Sequence, residues 1–134
     1  MVITDIVDID KRKSKIYIDN QLFCSLYKGE IRRLDLKVAD ELSEEILTEI
    51  YSILYKRARE RSFYILKTRD YTEYELSTKL RKGYFPDEVT DKVLCKLKEY
   101  GYVNDERFVE NYIDAYINTS SKRMISSKLY SKGI

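Results

Sequence analysis

The sequence has no histidine, no tryptophan, a single proline and only four glycines among its 134 residues. Without histidine, the side chain most often used as a general base in enzymes is missing. The glycines stand singly, so there is no glycine-rich phosphate-binding loop. Carboxylates are numerous, but they fall in the first turns of predicted helices and on polar faces. We therefore expect a protein that is not an enzyme and that uses no cofactor.

The only two cysteines, Cys24 and Cys95, lie far apart in the sequence. They form no C-x-x-C pair, and without histidine they cannot complete the usual four ligands of a structural zinc site. The sequence also lacks an apolar run long enough to cross a bilayer and lacks a signal peptide. We expect a cytoplasmic protein with no metal site and no membrane contact, in which both thiols are buried and reduced.

Charged residues are abundant: they make up 36% of the chain, with 25 basic and 23 acidic residues and a net charge of +2. This share is well above the usual value of about a quarter, and it favours a helix-rich fold. A chain of this length corresponds to one domain or to two small modules.

The first 27 residues have the alternation of β-strands. Five apolar residues keep an even-numbered spacing around the turn-prone pair Asp19-Asn20, which predicts a hairpin with one apolar face. These residues are Ile16, Ile18, Leu22, Cys24 and Leu26. A strand over residues 2–10 is expected to pair with the hairpin. The basic tract at residues 11–15 could touch phosphates, but a solvated hairpin tip is the favoured interpretation. Residues 1–42 are predicted to form a β-sheet extension.

After residue 29 the apolar period becomes helical. Polar N-cap residues or a first-turn proline mark the predicted helix starts: Ser43, Thr72, Pro86, Asn104 and Ser121. Glu75 completes a capping box with Thr72. The apolar stripe from residue 46 to residue 66 fits one long helix or two helices with a bend. The side chains expected to be buried in the later helices are Leu76, Leu80, Val93, Leu97, Phe108 and Tyr112.

A shift of 49 positions brings two parts of the chain into register. It aligns Thr72 with Ser121, Leu76 with Ile125, Lys79 with Lys128 and Leu80 with Leu129. The register then slips by one residue if Gly83 is matched to Gly133. A period near fifty indicates a repeat of three short helices. We predict a mainly α fold of tandem three-helix modules preceded by a small antiparallel sheet. The modules are residues 43–103 and an incomplete second one at 104–134.

The charges are sorted along the chain. Residues 56–84 contain nine basic and four acidic residues, whereas residues 85–118 contain eight acidic and four basic residues. The last sixteen residues contain four basic residues and no acid. Such sorting suits an elongated anionic partner. It is explained equally well by basic residues near helix ends that complement the helix dipole.

The thirteen tyrosines raise the possibility of base stacking with single-stranded nucleic acid. Most of them, including Tyr64, Tyr112 and Tyr116, lie on stripes that indicate core or rim packing, which is the favoured interpretation. The better candidates for stacking lie nearer the basic helices: Tyr71, Tyr74 and Tyr130.

Residues 57–134 resemble the RecX family of recombination regulators. Three stretches carry the resemblance: "ELSTKLRKGY" from Glu75, "GYVNDERF" from Gly101, and the closing "KLYSKGI". The second is the most specific. The resemblance implies tandem three-helix modules, commonly three, with no catalytic site. A usual member would continue through further helices, so the chain is expected to be a truncated member. One residue fewer before Gly83 is a departure from the repeated pattern.

The resemblance also implies a function. RecX proteins bind the groove of RecA recombinase filaments and restrain their ATPase, strand-exchange and co-protease activities. The alternative is a nucleic-acid-binding module of helix-turn-helix type that contacts single- or double-stranded DNA without RecA. The residues expected to bind the filament or nucleic acid are Arg57, Arg61, Arg69, Lys79, Arg81, Lys82, Lys122, Arg123, Lys128 and Lys132.

Two aliphatic residues of the last predicted helix, Ile125 and Leu129, require cover. Each would forgo roughly 1.5–3 kcal/mol if it were left in water. We expect them to pack against the preceding tyrosine-rich helix or against a second copy of the chain. The second arrangement would make the exposed face of the last helix a site of self-association.

Overall fold

The computed structural model describes residues 1–134, which form three β-strands followed by six α-helices. The strands are β1 (Ile3–Asp8), β2 (Lys13–Ile18) and β3 (Gln21–Tyr27). The helices are α1 (Lys28–Arg33), α2 (Glu44–Leu66), α3 (Glu73–Lys82), α4 (Asp87–Glu99), α5 (Asp105–Tyr116) and α6 (Lys122–Ser131). This confirms the predicted class, a mainly α fold with a small antiparallel sheet at its start. No helix combines the length and the apolar character that crossing a membrane requires.

The sheet is antiparallel with the strand order β1-β2-β3. Asp19 and Asn20 both adopt positive φ, 49° and 67°, as the two-residue turn of a tight hairpin requires. The prediction for Leu22 is wrong, because this side chain is 44% exposed. The pairing of β2 with β3 shifts register beside Tyr17, and such a bulge reverses the inward and outward alternation. Phe23 turns inward instead.

Helix α2 is one continuous helix of 23 residues, so the alternative of two helices does not apply. The hydroxyl of Ser43 accepts the Ile46 N–H at 3.2 Å and caps its start, as predicted. One face of α2 is buried along its whole length. Its buried residues are Ile50, Leu54, Ala58, Ser62 and Ile65. Helix α4 packs against both α2 and α3.

Most of the predicted core residues are confirmed. Side chains on α3 and α4 are fully or almost fully buried: Leu76, Leu80, Val93 and Leu97. Phe108 is also buried, whereas Tyr112 is only partly buried. Besides Leu22, the wrong predictions of burial concern three side chains. Tyr64 and Tyr116 are exposed rather than part of a core stripe, and Cys95 is exposed while Cys24 is buried. Each of the three lies on the solvent side of its helix.

Helices α5 and α6 enclose a second, smaller core. Phe108, Ile125 and Leu129 form its centre, with Tyr112 and Ile113 packed around them. The hydroxyl of Ser121 caps α6 by accepting the Met124 N–H. The expected burial of Ile125 and Leu129 is therefore confirmed, with the cover supplied by the preceding helix of the same chain.

The 49-residue correspondence continues through the end of α6, and the predicted slip is wrong. Helix α3 maps residue for residue onto α6, and its C-cap Gly83 maps onto Lys132. The next position takes the left-handed conformation in both units: φ is 64° at Tyr84 and 85° at Gly133. The two glycines are therefore not equivalent. The division into residues 1–42, 43–103 and 104–134 stays a prediction.

Candidate interaction surface

A depression of about 470 Å³ lies between the sheet, α2 and the end of α3. Its lining consists of Lys13, Ser25, Tyr27, Arg57, Arg61, Lys79, Lys82, Gly83 and Phe85. Five of these nine residues are cationic, and none carries a carboxylate. We call this feature the basic depression. It brings together four of the predicted site residues and adds Lys13 from β2.

Arg57 is held firmly at the base of this surface. Its guanidinium forms an ion pair with Glu30 of α1 and donates a hydrogen bond to the Ser25 carbonyl oxygen at 3.3 Å. The guanidinium carbon also lies 4.5 Å from the centroid of the Tyr27 ring. These contacts attach α2 to β3 and α1. The charge of Arg57 is consequently shared with a carboxylate of the protein.

The other four cations of the basic depression have no carboxylate partner within ion-pair distance: Lys13, Arg61, Lys79 and Lys82. Aromatic rings lie near three of them, and the Arg61 guanidinium is 5.6 Å from the Tyr64 centroid. The Lys13 ammonium is 5.1 Å from the Tyr27 centroid, and the Lys79 ammonium is 5.7 Å from the Tyr71 centroid. A concave surface lined by charges of one sign raises the local potential and attracts ions of the opposite sign. The depression is therefore suited to an anion.

The helix dipole explains only part of this arrangement. Lys79 and Lys82 lie in the last turn of α3, where a cation complements the negative end of the helix. Lys13 is on a strand, and α2 has no basic residue in its last turn, so Arg61 has no such explanation. Sequence reasoning missed Lys13, which it assigned to a solvated tip. The alternation of β2 places Lys13 and the buried Ser14 on opposite faces of the strand. The sequence does not reveal which helices lie near Lys13.

The remaining predicted site residues lie elsewhere. Arg81 faces the start of α4, where its Nε lies 3.2 Å from Asp87. Lys128 and Lys132 line a second depression of about 350 Å³ between α5 and α6. Lys122 and Arg123 are exposed at the start of α6. The ten candidates therefore do not form one continuous site.

Arg69 and Lys132 meet at a junction between α3 and α6. The Glu75 carboxylate accepts the Thr72 N–H at 3.1 Å, completing the predicted capping box. It also pairs with Arg69 at 3.1 Å and with Lys132 at 3.3 Å. The Thr72 hydroxyl donates to the Lys132 carbonyl oxygen at 2.6 Å. These contacts fix the end of α6 against the start of α3.

The electrostatics of this junction favour an ionised Glu75. Burial acts to raise the pKa of its carboxyl group, but hydrogen bonds from Arg69 and the Thr72 N–H, together with the charges of Arg69 and Lys132, outweigh burial. The pKa of Glu75 therefore lies below its ordinary value of 4.5. Since the carboxylate is already engaged by these groups, the junction is a structural contact rather than an open binding site.

A small sheet followed by helices that repeat at 49 residues, with unpaired cations on one concave surface, defines a helical-repeat protein suited to binding an anionic partner. Residues 58–97 match the family model described as "RecX, first three-helix domain". These residues run from the middle of α2 to the last turns of α4. The chain is similar to the RecX family of regulatory proteins.

Curated proteins of this family are similar to nearly the whole of the chain. The chain is 30% identical to "Regulatory protein RecX" of Clostridioides difficile, over 89% of this chain and 57% of that protein. It is 34% identical to the protein of the same name from Clostridium acetobutylicum, over 98% of this chain and 63% of that protein. The chain thus spans about half the length of the curated relatives it matches.

A solved structure shares the fold. The crystal structure of a regulatory protein RecX superposes with a TM-score of 0.61, covering 99% of this chain and 68% of that chain. The sequence identity in this comparison is 24%. The likeness therefore concerns the fold, including the small sheet that precedes the helices.

Proposed function

We propose that this chain binds RecA filaments and restrains their recombinase, ATPase and co-protease activities, as its resemblance to the family implies. In this proposal it acts in the cytoplasm as an interaction protein, without a catalytic site or a cofactor. The observation that carries the proposal is the basic depression, in which four cations face solvent without a carboxylate partner. A surface of this kind suits association with an anionic assembly.

The internal repeat supports binding to a partner that is itself periodic. Lys79 of α3 and Lys128 of α6 occupy equivalent positions at a separation of 49 residues, and both are exposed. Each therefore presents a cation at the same place in its own unit. A filament offers the same surface at regular intervals, so two related units can meet two successive copies of one anionic feature.

The second candidate function is binding to nucleic acid without RecA, which the same unpaired cations favour. One comparison separates the two candidates. The affinity of the whole chain is measured for bare single-stranded DNA and for RecA-coated DNA across a series of salt concentrations. We expect markedly tighter binding to the coated DNA. A steep salt dependence on bare DNA with no gain from RecA would favour the second candidate.

A further inference from the structure

A second surface lies on the side of α2 that faces away from the basic depression. Residues two positions apart on a helix point in directions about 200° apart, so Arg59 points away from Arg57 and Arg61. Two depressions of about 380 and 240 Å³ share Tyr55 and follow the contact between α2 and α4. We call them together the seam groove. We propose that the seam groove binds an acidic amphipathic helix of a protein partner other than RecA, which goes beyond the proposed function.

The first step is the regular spacing of the groove walls. On each wall the lining residues recur at intervals of four positions: Tyr51, Tyr55, Arg59 and Phe63 on α2, and Glu88, Lys92, Lys96 and Tyr100 on α4. Four residues rise about 6 Å along a helix. A helix that lies along the groove presents side chains one turn apart, at nearly the same interval. Its side chains can therefore meet the wall residues turn by turn.

The second step is the charge at the middle of the groove. The Lys92 ammonium lies 4.7 Å and the Arg59 guanidinium carbon 5.9 Å from the centroid of the Tyr55 ring. Neither cation has a carboxylate within ion-pair distance. Lys96 pairs only with Glu99, at 3.6 Å on an exposed surface. Acidic side chains on a partner would complement this part of the groove.

The third step distinguishes a protein helix from a nucleic acid. At one end of the groove Phe63 is 37% and Tyr100 68% exposed. The Tyr102 ring meets the Phe63 ring edge-on at 5.1 Å and holds it in place. At the other end, burial and a hydrogen bond to Glu88 raise the pKa of Tyr51 to about 12. The Glu88 carboxylate would repel a phosphate backbone, whereas a helix can place a basic side chain there and an apolar side chain on the aromatic end.

The test uses the whole chain labelled with ¹⁵N and a helical, alanine-based probe peptide. The peptide carries a lysine, two glutamates and a leucine, in that order and each about one helical turn apart. A second peptide has the reverse order, because the groove admits a helix in either direction. Two-dimensional NMR titrations follow the backbone amides. Arg59→Gln is compared with Arg61→Gln, the same change on the opposite side of α2. Tyr100→Ser tests the aromatic end, and melting temperatures verify the fold of each variant.

We expect one of the two peptides to cause saturable shifts along the seam groove and none around the basic depression. Arg59→Gln should weaken this binding about threefold, since exposed ion pairs rarely contribute more than about fivefold. Tyr100→Ser should weaken it by at least a similar factor, and Arg61→Gln should match the wild type. No saturable shift with either peptide, or equal effects of Arg59→Gln and Arg61→Gln, would overturn the proposal.

Three further results would overturn the choice of partner. The first is equal binding of a peptide in which lysines replace both glutamates. The second is tighter binding of an oligodeoxythymidine in the same groove, which would assign the groove to nucleic acid. The third is self-association of the free chain that Arg59→Gln abolishes, which would assign it to a second copy. The affinity of Arg59→Gln for RecA filaments should equal that of the wild type, so the failure of this proposal and the failure of filament binding are distinguishable.

Discussion

The Glu75 carboxylate joins the start of α3 to the end of α6 through three partners. We expect Glu75→Gln to lower the free energy of unfolding at pH 7 by about 1–2 kcal/mol, because hydrogen bonds to a charged group contribute about that much when they are partly exposed. Urea unfolding measures the change. Glu60→Gln, an exposed position on α2 without an ion-pair partner, is the matched control and should have little effect.

The pH dependence of this difference is a separate prediction. The folded state lowers the pKa of Glu75 below 4.5, so its contribution is fully present above the pKa of the unfolded chain. It is lost as the pH falls through the lower pKa of the folded state. The stability difference between the wild type and Glu75→Gln should therefore shrink below about pH 4.5. A difference that stayed constant from pH 7 to pH 3 would contradict the account.

Both the backbone conformation and the neighbouring Tyr74 side chain favour glycine at position 133. Its φ is +85°, and a Cβ there would lie 2.3 Å from the Cβ of Tyr74. We expect Gly133→Ala to loosen the end of α6 by at least about 1–2 kcal/mol, the usual penalty for a left-handed non-glycine residue. Amide hydrogen exchange in α6 measures this. Gly29→Ala has open space around it and should leave exchange in α6 unchanged.

At the scale of secondary-structure elements, α6 packs on the smaller of the two cores. Its core contains three buried residues, whereas the core beneath α2, α3 and α4 contains seventeen. We expect Leu129→Ala to lower the free energy of local unfolding of α6 and part of α5 by about 2–5 kcal/mol, as for other buried leucines. Hydrogen exchange should show faster exchange there and little change in α3. Leu80→Ala, at the equivalent position in the larger core, should instead destabilise the whole protein.

The elements themselves could be predicted from the sequence because their signals are local. Ser43, Thr72, Asn104 and Ser121 each cap a helix by accepting an N–H three residues ahead, so the pattern and the contact lie within one turn. The errors have two causes. The bulge near Leu22 depends on how β2 pairs with β3, which a single strand does not reveal. The slip in the repeat came from matching Gly83 to Gly133, whereas the backbone conformation shows that Tyr84 is the counterpart of Gly133.

The candidate site was predictable to a similar extent. Lys79 and Lys82 could be predicted from their position in one basic helix turn, and both line the basic depression. Lys13 could not be assigned, because its place in the depression depends on how the sheet docks against α2 and α3. Arg81 appeared equivalent to its neighbours, yet the start of α4 brings Asp87 to it. Sequence patterns identify the residue types of this site, while tertiary packing selects its members.

At the scale of the whole molecule, the chain joins two helical units of unequal core size to a sheet that supplies part of the binding surface. The α3–α6 junction is one of the polar contacts that link the units; another is the hydrogen bond from the Glu73 N–H to Asp105 at 2.9 Å. If both units bind the RecA filament, variants that weaken this junction should lower the affinity for the filament although they change no residue of the basic depression. We therefore expect Glu75→Gln to bind RecA filaments with lower affinity, in addition to its lower stability in α6.

We propose that the basic depression binds RecA filaments. The most direct measurement is the affinity of Lys79→Glu/Lys82→Glu for RecA filaments assembled on DNA, compared with Lys92→Glu/Lys96→Glu on α4. Arg81 is left unchanged because it already pairs with Asp87. We expect the depression variant to bind at least about tenfold more weakly, equivalent to about 1.4 kcal/mol, with the control close to the wild type. Unchanged affinity in a folded depression variant, or an equal loss in the control, would contradict the account.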